Sequence, residues 1–104
     1  MEKTKRIELQ QLLEAVLGSR NVYFQPPEDM KLQYPCIIYF KTSLPIRYAN
    51  DKMYNKMQGY TMTVVDKDPD SEIPFDILNN FKYCRIDSFY KSGNLNHTKL
   101  TLYY

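Results

Sequence analysis

Apolar positions along the chain change their period several times, and each change marks an element. Between Lys5 and Leu17, the residues Leu9, Leu12, Leu13, Val16 and Leu17 fall within an arc of roughly 140° on a helical projection, the width of a helix laid on a core. Ile7 falls outside that arc. Gly18 stands where a left-handed cap closes a helix, and Ser19 to Asn21 continue the break. Val22-Tyr-Phe-Gln25 reads as a short strand stopped by Pro26-Pro27. A polar connection then leads through Pro35 to Cys36-Ile-Ile-Tyr-Phe40, which is apolar on both faces. Such a strand is either covered on both sides or shows one face to a neighbouring subunit.

Thr42 to Gln58 is polar and has no regular period. It predicts an extended hairpin arm around residues 42–59, carrying Tyr48, Met53 and Tyr54. Tyr60 to Asp66 alternates Tyr60, Met62 and Val64 against Thr61, Thr63 and Val65, which predicts a strand. A second helix is predicted from about Ser71 to Phe81, with Ile73, Ile77, Leu78 and Phe81 inward and Phe75 off that face. A closing hairpin follows: Arg85 to Lys91, a turn around Ser92-Gly-Asn94, and Thr98 to Tyr104. In the last strand Leu100, Leu102 and Tyr104 face the core and Lys99, Thr101 and Tyr103 face water. The order α-β-β-β-α-β-β predicts an α+β domain, two helices packed on a largely antiparallel or mixed sheet.

Length adds that residues 1–104 form one domain. A chain of this size buries roughly two-thirds of its extended surface on folding, enough for one modest core. The net charge is +2, with basic residues scattered except for Lys3, Lys5 and Arg6, so no phosphate-tracking field is implied and nucleic-acid binding is not expected. No apolar leader and no long apolar run is present, so neither secretion nor membrane spanning is expected. Asn96-His97-Thr98 matches a glycosylation sequon, a chance match without an export signal. Cys36 and Cys84 lack CxxC spacing and read as free thiols in a reducing compartment. Ten tyrosines, five phenylalanines and no tryptophan favour surfaces that alternate between water and a partner.

The chemistry-bearing candidates are few. Asp66, Asp68 and Asp70 occupy the first three alternate positions of a calcium loop. Pro69 then stiffens the bend, Ser71 stands where glycine is needed, and Ile77 replaces the bidentate glutamate, so no calcium loop is expected. The same residues make a helix entry. Asp68-Pro69 favours a turn, Asp70 or Ser71 caps the helix amides, Glu72 suits the positive helix end, and Pro74 fits the first turn. His97 has no spaced companion ligand, so no metal centre is expected. A Cys36 or Cys84 pair with His97 would be catalytic only if folding joined them, and Cys36 lies in an apolar strand. Three glycines leave no phosphate-cradling loop and no cofactor motif. The basic-Gly-aromatic signature of an RNA-recognition sheet is absent.

Three segments, taken with this element order, carry a resemblance. They are Tyr34-Pro-Cys-Ile-Ile-Tyr39, Tyr60-Thr-Met-Thr-Val-Val-Asp66 with Asp68-Pro-Asp-Ser71, and Asn94-Leu-Asn-His97 leading into Leu100-Thr-Leu-Tyr103. Over nearly its whole length the chain resembles the tail terminator or tail-completion (head-tail joining) family of long-tailed bacteriophages. The resemblance implies a non-enzymatic virion protein, assembled in the bacterial host cytoplasm, that forms a six-fold ring on the head-proximal end of the tail tube. Its implied partners are copies of itself, the tail tube protein and the head connector or head-completion protein. Tyr48, Met53, Tyr54 and Phe75 are the expected contact residues, being apolar or aromatic yet off the predicted core face. Two alternatives stay open: a head-closure or connector protein of the phage neck, and a metal-dependent hydrolase or nuclease using Asp66, Asp68 and Asp70.

Overall fold

A computed structural model of the chain describes residues 5–42 and 58–104. Its elements are α1 (Lys5–Leu17), β1 (Val22–Phe24), β2 (Cys36–Thr42), β3 (Gly59–Asp66), α2 (Ile73–Asn80), β4 (Cys84–Ser92) and β5 (Leu95–Tyr103). The five strands form one mixed sheet in the order β1-β2-β3-β5-β4. The fold is therefore α+β with two helices, in the sequence order predicted. Among the described residues only β1 pairs in parallel, setting Val22 opposite Ile37 and Phe24 opposite Tyr39. Its return connection, residues 25–35, contains no helix, and the Tyr34–Pro35 peptide bond is cis. The segment 43–57, with Tyr48, Met53 and Tyr54, lies outside the described residues. The predicted arm is bounded by strand at both ends, because Thr42 closes β2 and Gly59 opens β3.

Both helices lie on one face of the sheet. Leu9, Leu13 and Ile77 from the helices meet Ile37, Tyr39, Met62, Val64, Leu100 and Leu102 from the strands, all at most 1% exposed. Leu12, in contrast, is 44% exposed although it belongs to the predicted stripe. Leu9 and Leu13 sit at the middle of the arc, whereas Leu12 lies at its edge, where the helix surface turns away from the sheet. The helix is pinned by polar contacts as well. Gln10 Nε2 donates to the Val22 carbonyl at 2.9 Å, and the buried Tyr39 hydroxyl donates to Gln10 Oε1 at 2.6 Å. The Arg6 guanidinium stands 4.5 Å from the centroid of the Phe24 ring, which packs against Tyr39. Gly18 ends the helix at φ 81°, and its amide donates to the Glu14 carbonyl at 2.8 Å. A side chain with Cβ rarely holds that backbone, so the glycine serves the cap.

Several elements depart from their expected limits, α2 and β5 among them. α2 begins at Ile73 rather than Ser71 and ends at Asn80, with Phe81 as its C-cap. β5 begins at Leu95, three residues before the predicted Thr98, because a two-residue Gly93-Asn94 turn lets Ser92 pair with Leu95. Gly93 takes φ 63°, and positive φ at the first turn position is the demand of a type II′ hairpin. β4 also contains a bulge between Ile86 and Ser88. Asp87 is the extra residue, and its carboxylate accepts from Arg85 Nε at 2.9 Å and from the Thr101 hydroxyl. The bulge changes which residues share a face. Ile86 lies opposite Leu100 on the helix-covered face, and after the bulge that side is taken by Phe89, opposite Thr98.

Candidate functional site

The acidic turn is where β3 leaves the sheet and α2 begins. Asp66 Oδ1 accepts the Asp68 amide at 3.0 Å, and Asp68 Oδ1 accepts the Asp70 amide at 2.9 Å. Each is an Asx-turn, a side chain satisfying the backbone two residues on. The Ser71 amide closes the turn on the Asp68 carbonyl at 3.3 Å. Asn96 Nδ2 reaches from β5 to the carbonyls of Asp66 and Lys67 at 3.4 and 3.3 Å, tying the turn to the sheet.

Of the two expected cap acceptors, Ser71 bonds a helix amide, although neither residue holds the N-cap position itself. The N-cap is Glu72, with helical φ −89° and ψ −6° and no side-chain cap bond. Ser71 Oγ does accept the Ile73 amide, at 3.4 Å. The carboxylates of Asp66 and Asp68 instead hold the loop upstream, because the run of alternate acids presents each Oδ1 to the next amide before the helix starts. Pro74 falls in the first turn as expected and is buried. Among the described residues, no three His, Cys, Asp or Glu side chains are gathered where they could hold a metal ion. Among the same residues, every buried side-chain nitrogen or oxygen has a hydrogen-bond partner.

Beside this turn lies a groove of about 570 Å³. Its floor and walls include Val64 and Thr98 of the sheet, Phe75 of α2, Phe89 and Tyr90 of β4, and the carboxylates of Asp66, Asp68, Asp70 and Glu72. Phe75 is 53% exposed and Phe89 is 64% exposed. Phe75 was anticipated as an outward aromatic on α2. Phe89 was not, because strict alternation along β4 cannot place it; the bulge at Asp87 does. Tyr90 is 45% exposed and stacks on His97, with ring centroids 4.7 Å apart and planes at 15°. His97 is thus placed beside an aromatic ring, on the open side of the hairpin, and its Nδ1 lies 3.3 Å from the Leu95 carbonyl oxygen.

The thiols are not brought to His97 as a catalytic pair. Cys36 and His97 flank Val65 in one cross-strand row, two strand spacings or about 10 Å apart, and Cys84 sits opposite Leu102, away from that row. Both cysteines are free. Burial pushes each thiol up to about 11, with Asp66 adding to the effect at Cys36 and Asp87 at Cys84. A thiol held neutral in this way is a poor nucleophile at neutral pH.

The remaining surface feature is the sheet edge. β4 is nine residues long and, among the described residues, pairs only with β5 and has no strand on its other side. Seven of its nine residues are exposed, Phe89 and Tyr90 among them. Along an unpaired edge, alternate backbone N–H and C=O groups point outward and are available to another chain. The other edge, β1, has three residues. Among the described residues, no helix is long and apolar enough to cross a membrane. No protein-family model, curated protein or solved structure matches the chain.

Proposed function

We propose that this chain is a structural assembly subunit that works by packing against copies of itself and against neighbouring proteins, as a tail terminator of a long-tailed phage would. In that role it forms a ring on the end of the tail tube, stops growth of the tube and offers a surface to the head connector. The observation that carries the reading is the long β4 edge with Phe89 and Tyr90 exposed on it and Phe75 exposed nearby on α2. A small domain that leaves three large aromatics and an open edge in one region has a surface suited to burial against a partner. The two aspartates whose Oδ1 atoms accept turn amides agree with a chain whose acids serve geometry.

Tails assembled without this gene product test the proposal. Overlong tubes that fail to join heads are the expected outcome. Tails of normal length and normal head attachment would refute it. Light scattering on the purified protein, alone and with tube protein, is the second measurement: a ring or tube-bound oligomer is expected, and a strict monomer in both mixtures would refute the proposal.

A further inference from the structure

We infer that the aromatic groove at Phe75 and Phe89 is the receiving half of a head-to-tail contact between copies of this chain, and that the cationic surface of Lys82, Arg85 and Lys99 is the donating half. This rests on the self-association proposed above and names the joint. Among the described residues, the groove lining carries four carboxylates and neither lysine nor arginine. Twelve acidic residues less those four leave eight in the rest of the chain, against 14 lysines and arginines. The groove is therefore an acidic recess on a chain whose other residues carry a net charge of +6, 14 less eight, and a second copy supplies the complement.

The donating surface is specific. A shallow cleft of about 210 Å³ is lined by Lys82, Arg85 and Thr101 together with Tyr83, Cys84 and Tyr103. Arg85 lies opposite Thr101 in the ladder, and Lys99 lies opposite Ser88 two residues away on the same side. Arg85 is shared with Asp87 through a 2.9 Å ion pair, so the two lysines carry the charge left over. Lysine suits the groove chemically. Its methylene stem lies along phenylalanine rings while the ammonium reaches a carboxylate at the rim, and the ring faces themselves attract the cation.

Placement fixes the symmetry of the contact. Phe89, Val64 and Thr98 belong to the helix-covered face of the sheet; Arg85, Lys99 and Thr101 lie on the opposite face, which the groove reaches only at its Tyr90 and His97 edge. A two-fold contact through the groove would set carboxylates against carboxylates, which opposes it. A head-to-tail contact sets them against lysines, leaves one half free at each end, and repeats until rotation closes a ring.

Charge exchange tests this on the full chain. The groove variant Asp70→Lys/Glu72→Lys and the patch variant Lys82→Glu/Lys99→Glu are each expected to associate at least about tenfold more weakly than wild type by sedimentation, a loss typical of like charge facing like across an interface. Mixed in equal amounts, they are expected to recover assembly, since each now carries what the other lacks. Wild-type association is expected to weaken as salt is raised. If wild type assembles but both variants assemble equally well, or if the folded variants stay dispersed on mixing, this joint is overturned while self-association stands. If wild type is monomeric with and without tube protein, the proposed function falls and this joint with it. Should a reversal unfold the chain by circular dichroism, the neutral variants Asp70→Asn/Glu72→Gln and Lys82→Gln/Lys99→Gln are read the same way. Each is expected to be several-fold weaker, and unchanged association overturns the joint.

Discussion

Replacing Asp68 separates a structural carboxylate from a chemical one. In the fold its Oδ1 accepts the Asp70 amide at 2.9 Å, while its own amide donates to Asp66 Oδ1 at 3.0 Å. Asp68 is exposed, so an amide that loses this acceptor turns to water rather than remaining unpaired. Asp68→Ala is therefore expected to cost about 0.5–1 kcal/mol, the scale of an exposed turn or cap contact. For a domain of this size that lowers Tm by roughly 2–6 °C. Asp68→Asn keeps a carbonyl oxygen at the same position and is expected to stay within about 0.3 kcal/mol of wild type, the range of a neutral surface change. Urea denaturation followed by circular dichroism reads both variants. A catalytic or metal-binding Asp68 would behave differently, because an amide is neither a base nor a strong ligand for a hard cation. A divalent ion at a hundred times its Kd would add about 2.7 kcal/mol to the folded state. The reasoning is refuted if Asp68→Asn is as destabilised as Asp68→Ala. It is equally refuted if magnesium, manganese or calcium raises the wild-type Tm by several degrees and leaves the Asn variant unmoved.

Other perturbations address the core, the cap and the thiols. Tyr39→Phe removes the donor that Gln10 Oε1 accepts at 2.6 Å beneath α1, and a loss of about 1–2 kcal/mol in a urea melt is expected from the orphaned acceptor. Gly18→Ala forces a Cβ onto a backbone at φ 81°, with an expected cost of about 1 kcal/mol by the same assay. Stability should also fall in alkali. Cys36 and Cys84 are pushed up to about 11 from 9, so the folded state binds their protons more tightly than the unfolded chain does. Their contribution is complete below about pH 9 and is lost as pH rises toward about 11. Tyr39 and Tyr60 are raised by burial too and act in the same direction at higher pH. Cys36→Ala should flatten part of the decline in denaturation midpoint between about pH 9 and 11, and an unchanged slope would contradict the assignment.

The local elements were legible because their hydrophobic period is set by backbone geometry alone. The C-terminal end of α1 was readable to the residue, and β3 and the final hairpin to within a few positions, since Leu9 and Leu13 repeat at helical spacing and Tyr60, Met62 and Val64 at strand spacing. The Gly18 cap was equally local. Mixed and antiparallel pairing, by contrast, depends on which strands meet, and no short window of sequence holds that information. The parallel docking of Val22–Phe24 on Cys36–Thr42, and the insertion of β5 between β3 and β4, are products of the assembled sheet. Leu12 belongs to the same sequence stripe as Leu9, and only the line of contact with the sheet decides that it stays exposed.

The candidate site divides along the same line. Sequence alone placed Phe75 outside the packed face of α2 and marked Asp66, Asp68 and Asp70 as turn-forming, because periodicity and Asx chemistry act over a few residues. It offered Asp70 or Ser71 as the acceptor for the helix amides, and Ser71 Oγ takes the Ile73 amide, while Glu72 holds the N-cap position and Asp66 and Asp68 bond amides upstream. Phe89 entered the groove only through the bulge at Asp87, which one extra residue in the ladder creates and which shifts every side chain beyond it to the other face. The four carboxylates of the recess are sequence neighbours between Asp66 and Glu72, but only the assembled sheet sets them beside Phe89 and puts Lys99 on the opposite face. Periods and caps belong to the chain; faces, edges and opposed charge exist only once distant residues share a surface.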